Sequence, residues 1–141
     1  MAVLSRPVVT VSSKATVLQA IETMAAAQVG SVVIVNGDHL EGIFSERDVM
    51  LRVVLEGRDP GTTKVEEVMT SPVQTIGIRT TGDEALRLML QEHIRHLPLV
   101  DDRGRAQAIV SMRTLLQEKV TELNQQLDSL ESYMTADGIG G

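Results

Sequence analysis

The chain has 141 residues, 43% of them hydrophobic, which is enough for one globular body or two very small ones around an apolar core. A net charge of −6, with one Phe, one Tyr and no Trp, excludes the cationic and aromatic-rich surfaces that polyanion and single-strand binders use, so no nucleic-acid partner is expected. The lack of Cys excludes disulfides, thiolate catalysis and Cys-ligated metal, three scattered His argue against a zinc site, and no apolar run reaches the length of a membrane span.

The first residues, Met1 to Pro7, have neither the basic start nor the apolar stretch of a signal peptide, so a soluble, cytoplasmic setting without membrane contact is expected. Pro7-Val8-Val9-Thr10-Val11 forms a short β segment. Thr16 then caps a helix whose apolar stripe, spaced by threes and fours, is Leu18, Ile21, Met24 and Ala25. The continuous apolar run from Ser31 to Val35 predicts a strand buried on both faces, and Asn36-Gly37 supplies the positive-φ residues of a tight turn into a second strand ending at Ser45. Glu56 to Thr63, rich in Gly and Pro, is a loop, and Val65 to Met69 a short helix.

Then the order repeats. Pro72-Val73-Gln74-Thr75-Ile76 answers Pro7 to Val11, Ala85 and Met89 answer Ala20 and Met24, and Val100 answers Val35, all at an offset of 65. Thr80 or Thr81 leads into the stripe Ala85, Leu86, Met89 and Leu90, and Asp101-Asp102-Arg103-Gly104 makes the turn. One residue later in register, Ala108-Ile109-Val110-Ser111 answers Gly42-Ile43-Phe44-Ser45. Each copy is β-α-β-β followed by a helix, and a half this small is marginal alone, so the two are expected to pack as one body.

Ser45 ends a strand and Asp48 lies in the first turn of the next helix, where free backbone N–H groups and the helix dipole favour a phosphate. A carboxylate suits the vicinal hydroxyls of a ribose, and a hydroxyl beside it suits the phosphate; the pair describes a nucleoside phosphate. Both residues can also cap the helix, and the two roles can coexist.

With Val68-Met69-Thr70-Ser71-Pro72-Val73 opening copy two and Ile94-Arg95-His96-Leu97-Pro98-Leu99-Val100 inside it, residues 3 to about 118 resemble the tandem CBS (cystathionine-β-synthase-type) pair, or Bateman module. Gly42-Ile43-Phe44-Ser45-Glu46-Arg47-Asp48 is similar to that family's nucleotide motif in full. The resemblance implies an α+β fold of two β-α-β-β-α repeats packed as a pseudo-two-fold pair, and a ligand of AMP, ADP or ATP with no obligatory cofactor. It also implies a site at Ile43, Ser45, Arg47 and Asp48, joined from the other repeat by Val73 and Gln74 beside the adenine. Arg95, His96 and Pro98 complete that side, with Arg113 near the phosphates. The reciprocal site looks damaged: Ala108 and Thr114 replace the motif's Gly and Asp, and Gly30-Ser31 stands where Arg95-His96 would, so one nucleotide per chain is expected.

From Arg113 to Met134 there is no Gly or Pro, and Leu116, Val120, Leu123, Leu127, Leu130 and Met134 alternate steps of four and three, an a/d seam that needs a partner. The partner is either the chain's own module or a second copy, and a homodimer is favoured. The organisation expected is repeat 1 with its linker at 1–64, repeat 2 at 65–118, a helical extension at 119–135 and a flexible tail at 136–141. No Gly-x-Ser-x-Gly, Walker or His-Glu-x-x-His pattern occurs. The chain therefore reads as a regulatory nucleotide-binding module acting on an unidentified protein and not as an enzyme. The competing readings are a structural dimer without ligand, or a binder of S-adenosylmethionine or NAD(H).

Overall fold

The computed structural model describes the backbone of residues 5–140 and the side chains of residues 8–135. The first four residues, and the side chains of the tail expected at 136–141, lie outside the described residues.

The first repeat holds β2 (Thr10–Ser12), α1 (Val17–Ala27), β3 (Ser31–Asn36), β4 (His39–Ser45) and α2 (Glu46–Asp48), which continues as a π-helical stretch over Val49–Val54. The second holds β5 (Ile76–Gly77), α3 (Gly82–Glu92), β6 (His96–Val100), β7 (Ala106–Ser111) and α4 (Met112–Gly140). In each, the first strand runs parallel to the second, which pairs antiparallel with the third. The fold is α+β, two β-α-β-β-α repeats with a long C-terminal helix.

Equivalent residues shape the two halves. Thr16 and Thr81 accept from the backbone N–H of Gln19 and Glu84, each capping its helix. Gln28 and His93 end those helices in the left-handed conformation, and the strand pairs slip register between Ile34 and Val35 and between Leu99 and Val100. The β3–β4 turn is Gly37-Asp38, with Gly37 alone at positive φ, while Asp101 fastens the other turn by accepting from the N–H groups of Arg103 and Arg105.

The segment read as one leading strand divides between the sheets. β1 (Ser5–Pro7) pairs antiparallel with β7 of the second repeat, and only β2 joins its own. In return the approach to repeat 2 lies on repeat 1, since Ile43 and Thr70 exchange backbone hydrogen bonds of 3.0 and 2.8 Å. These crossed pairings satisfy edge groups of each sheet with the other repeat's chain and hold the halves together.

Two cores result. Val17, Ala20 and Met24 of α1 pack with Val32, Ile34 and Phe44, and Ala85 and Met89 of α3 pack with Leu97, Leu99 and Val110. Of the expected stripes, Met24, Ala85 and Met89 are buried, Ile21 and Leu86 are half-buried, and Leu18, Ala25 and Leu90 face outward. The buried face of α1 is turned by one residue, because small Ala20 lets the helix sit close to the sheet and leaves the bulkier Leu18 at the edge. Leu115 closes the second core; beyond it the apolar seam from Leu116 to Met134 is exposed, 46% at Leu123 and 61% at Met134. No helix among the described residues is long and apolar enough to cross a membrane.

Candidate ligand-binding clefts

The Ser45–Asp48 junction is a reciprocal cap. Ser45 Oγ accepts from the Asp48 N–H, and Asp48 Oδ2 accepts from the Ser45 N–H at 3.0 Å and from its hydroxyl at 3.2 Å. Asp48 Oδ1 takes the hydroxyl of Thr70 at 3.1 Å, and Arg52 lies 3.6 Å away. Arg52 also donates to the Met69 carbonyl at 2.8 Å. The carboxylate is thus buried and tied to its helix start and to the segment that leads into repeat 2. Two of its donors are hydroxyls that can rotate away, so a diol could take their place with the backbone unmoved.

The second junction keeps the geometry and changes the chemistry. Ser111 Oγ accepts from the Thr114 N–H at 3.2 Å and donates to the Thr114 hydroxyl at 2.9 Å. A cleft of about 320 Å³ opens here between the repeats. Val9, Gly30 and Ser31 line it from the first repeat and His96, Ser111, Arg113 and Thr114 from the second, together with the amides of Gln28 and Gln117. An adjoining groove of about 400 Å³, mostly apolar, contains Glu46.

His96 faces Ser111 across the β6–β7 ladder. Burial pushes its imidazole below the usual 6.5, the Glu46 carboxylate works against that shift, and the Arg95 guanidinium adds to it. His96 therefore sits within the field of the first junction while lining the cleft of the second.

The repeat offset carries Ser31 to His96, Gly30 to Arg95, Val9 to Gln74, and Ser111, Arg113 and Thr114 back to Ser45, Arg47 and Asp48. The residues assigned to the Asp48 site are in large part the pseudo-symmetric counterparts of this open lining. Arg113 and His96 line the Thr114 cleft, whose lining does not include Asp48. The place of Arg113 in the first turn of α4 projects it at its own Ser111–Thr114 junction, and Arg47 stands in the corresponding place on the other side. Ile43 is half-buried in β4, Pro98 is buried in β6, Val73 is half-buried, and Arg47, Gln74 and Arg95 are exposed.

Sequence reading missed Thr70 and Arg52. Arg52 follows Asp48 by four residues, the spacing of a helical ion pair, and was open to detection. Thr70 is 22 residues from Asp48 and becomes its neighbour only when the linker crosses β4. Among the described residues no group of three or more His, Asp or Glu could hold a metal.

The family model for the CBS domain matches residues 2–55 and again 65–120. An uncharacterized protein of Methanopyrus kandleri is 39% identical over 113 residues, 79% of this chain and 58% of its own length, so the chain spans little more than half of that relative. A CBS-domain protein of Burkholderia ambifaria superposes with a TM-score of 0.77 at 34% identity, covering 82% of this chain and 85% of the other. A CBS domain protein of Pyrobaculum aerophilum complexed with AMP superposes at 0.74 with 26% identity, covering 85% and 96%. By its two matched repeats and by the fold they share with these structures, the chain belongs to the CBS-domain family.

Proposed function

We propose that the chain is a regulatory module that binds an adenine nucleotide, AMP, ADP or ATP, where Ser45 and Asp48 meet the other repeat, and that it acts on a partner protein without catalysing a reaction. The observation that carries this reading is the buried Asp48 carboxylate, held at a helix start by Ser45 and by Thr70, whose rotatable hydroxyls a ribose diol can replace. Ile43, Val73 and Gln74 then form the base's surroundings, Pro98 backs them, and Arg47, Arg95 and His96 supply cationic or donor groups for the phosphates. The AMP carried by the Pyrobaculum aerophilum relative supports the same ligand class.

The exposed a/d seam of α4 supports a homodimer. Its flanking positions, Gln117, Lys119, Asn124, Gln126, Glu131 and Tyr133, carry only two charges, so little charge repulsion opposes pairing. Nucleotide-dependent rearrangement of that dimer would carry the signal to the partner.

Calorimetric titration with AMP, ADP, ATP, S-adenosylmethionine and NADH tests the ligand class. Saturable binding of an adenine nucleotide that Asp48→Ala weakens by about tenfold or more is expected. Preference for S-adenosylmethionine or NADH, or no binding at all, would replace this reading with a different adenosyl ligand or a purely structural dimer.

A further inference from the structure

A carboxylate has about four lone-pair sites, and the chain's own groups take up those of Asp48. Oδ2 accepts the Ser45 N–H at 3.0 Å and its hydroxyl at 3.2 Å, while Oδ1 accepts the Thr70 hydroxyl at 3.1 Å and faces the Arg52 guanidinium at 3.6 Å. Ser45 and Arg52 belong to the helix start that carries Asp48 and to its next turn. Thr70 alone comes from a remote segment, the one that leads into repeat 2. The Asp48 side chain is only 9% exposed, so a further hydroxyl that approaches it must take the place of a group already bound.

These partners differ in how readily they leave. The Ser45 N–H is fixed by the backbone. Ser45 Oγ can redirect its proton, but its oxygen stays in place as the acceptor of the Asp48 N–H, and Arg52 is anchored at the Met69 carbonyl at 2.8 Å. The backbone at Thr70 is fixed too, by its paired hydrogen bonds with Ile43 and by Ser71, whose hydroxyl donates to the Glu41 carbonyl at 2.9 Å. The half-buried Thr70 side chain, however, can turn its hydroxyl to water by rotation about one bond. We propose that the Thr70 hydroxyl is a built-in competitor of the ribose: it holds the acceptor that a sugar hydroxyl needs, so the segment joining the repeats sets how much nucleotide the Asp48 site requires. This rests on the nucleotide reading of that site and adds its regulation. Coupling is reciprocal, so whatever draws Thr70 away from Asp48 tightens nucleotide binding, and bound nucleotide releases the Thr70 hydroxyl from repeat 1.

Calorimetric titration of Thr70→Val with AMP is the test, since valine has the shape of threonine without the hydroxyl. Affinity should rise by about tenfold, the low end for a hydrogen bond to a charged acceptor, even though Tm falls. A tie that serves the fold alone predicts the reverse, a lower Tm together with weaker binding. Thr70→Ala should show the same gain, and Thr70→Ser, which keeps the hydroxyl, should forfeit it. The adenine nucleotide 2′,3′-dideoxyadenosine 5′-phosphate brings no hydroxyl to the carboxylate and should bind Thr70→Val and the wild type alike. Ser71→Ala loosens the same segment without touching Asp48 and should change AMP affinity by less than about twofold. Thr70→Val and Thr70→Ala chains that bind AMP no more tightly than the wild type, a gain that persists with the dideoxy compound, or an equal gain in Ser71→Ala would each overturn the proposal. Failure of the nucleotide reading shows separately, as a wild type that does not bind AMP or whose binding Asp48→Ala leaves untouched, and it takes this proposal with it.

Discussion

Asp48→Ala tests whether one carboxylate serves both the fold and the ligand. The substitution removes the acceptor of the Ser45 backbone N–H at 3.0 Å and of the Ser45 and Thr70 hydroxyls at 3.2 and 3.1 Å. The hydroxyls can turn to other acceptors, but the backbone N–H cannot. The uncompensated loss is thus about one charge-assisted bond, roughly 1.5–3 kcal/mol, of which the lost cap is part. The exposed Arg52 side of the ion pair adds less than about 1 kcal/mol. An unfolding entropy of about 2.1 cal/mol/K per residue gives roughly 0.3 kcal/mol/K for this chain, so a loss near 2–3 kcal/mol lowers Tm by about 7–10 °C. Asp48→Asn keeps a carbonyl oxygen for the Ser45 N–H and should cost only about 1 kcal/mol, near 3 °C. Thermal unfolding by circular dichroism reads both, and calorimetry below each transition reads AMP affinity. An Asp48→Ala chain melting within about 2 °C of the wild type would refute the structural half of this reasoning, whatever happened to the ligand.

Replacing Leu123, Leu127 and Leu130 by Gln should leave both repeats folded, since these side chains are already exposed, while reducing a dimer to a monomer by light scattering; a monomeric unsubstituted chain contradicts the seam's role. Because burial depresses the His96 pKa, the unfolded chain binds the proton first as pH falls below 6.5, so this contribution to stability is full above that value and is lost toward the folded pKa. Tm measured from about pH 8 down to about pH 5 should fall less for His96→Gln than for the wild type, and parallel curves would show that His96 does not titrate across unfolding. A Cβ on Gly42 would lie 2.6 Å from Met69 Sδ and 2.8 Å from the Thr70 carbonyl oxygen; the sulfur can move, but the backbone at the Ile43–Thr70 bridge cannot do so freely. Gly42→Ala should therefore cost about 1–3 kcal/mol by overpacking and loosen Thr70 from Asp48, read as a lower Tm; a Tm equal to the wild type would show that the linker yields at no cost.

What was legible in the sequence is what local chemistry decides. Thr16 and Thr81 cap because a hydroxyl precedes a helix and its free N–H groups, and Gly37 and Gly104 turn because they accept positive φ. The duplication made each inference twice. What escaped depends on contacts between distant segments. Thr10 continues in its own sheet while Ser5 to Pro7 cross to the other, and nothing within those few residues distinguishes two short strands from one. Leu18 and Ala20 lie on neighbouring stripes of one helix, and the choice between them is made by how closely the sheet approaches.

The clefts show the same division more sharply. Periodicity identifies Ser45 with Ser111 and Asp48 with Thr114, but equivalence of position does not say which cleft a side chain lines, and Arg113 and His96 both line the one at Thr114. Replacing Asp by Thr at a helix start keeps the cap, since the Ser111 hydroxyl still accepts the Thr114 N–H, and it puts an uncharged hydroxyl where the other junction carries a carboxylate. Gly30 and Ser31 stand where the other half carries a bulky basic pair, the Glu46 carboxylate lies against Gly30, and Arg113 and His96 line the cleft. The asymmetry between the halves then follows from three positions: 114 decides whether the junction carries a hydroxyl or a carboxylate, and 30 and 31 decide whether a basic pair stands across from it.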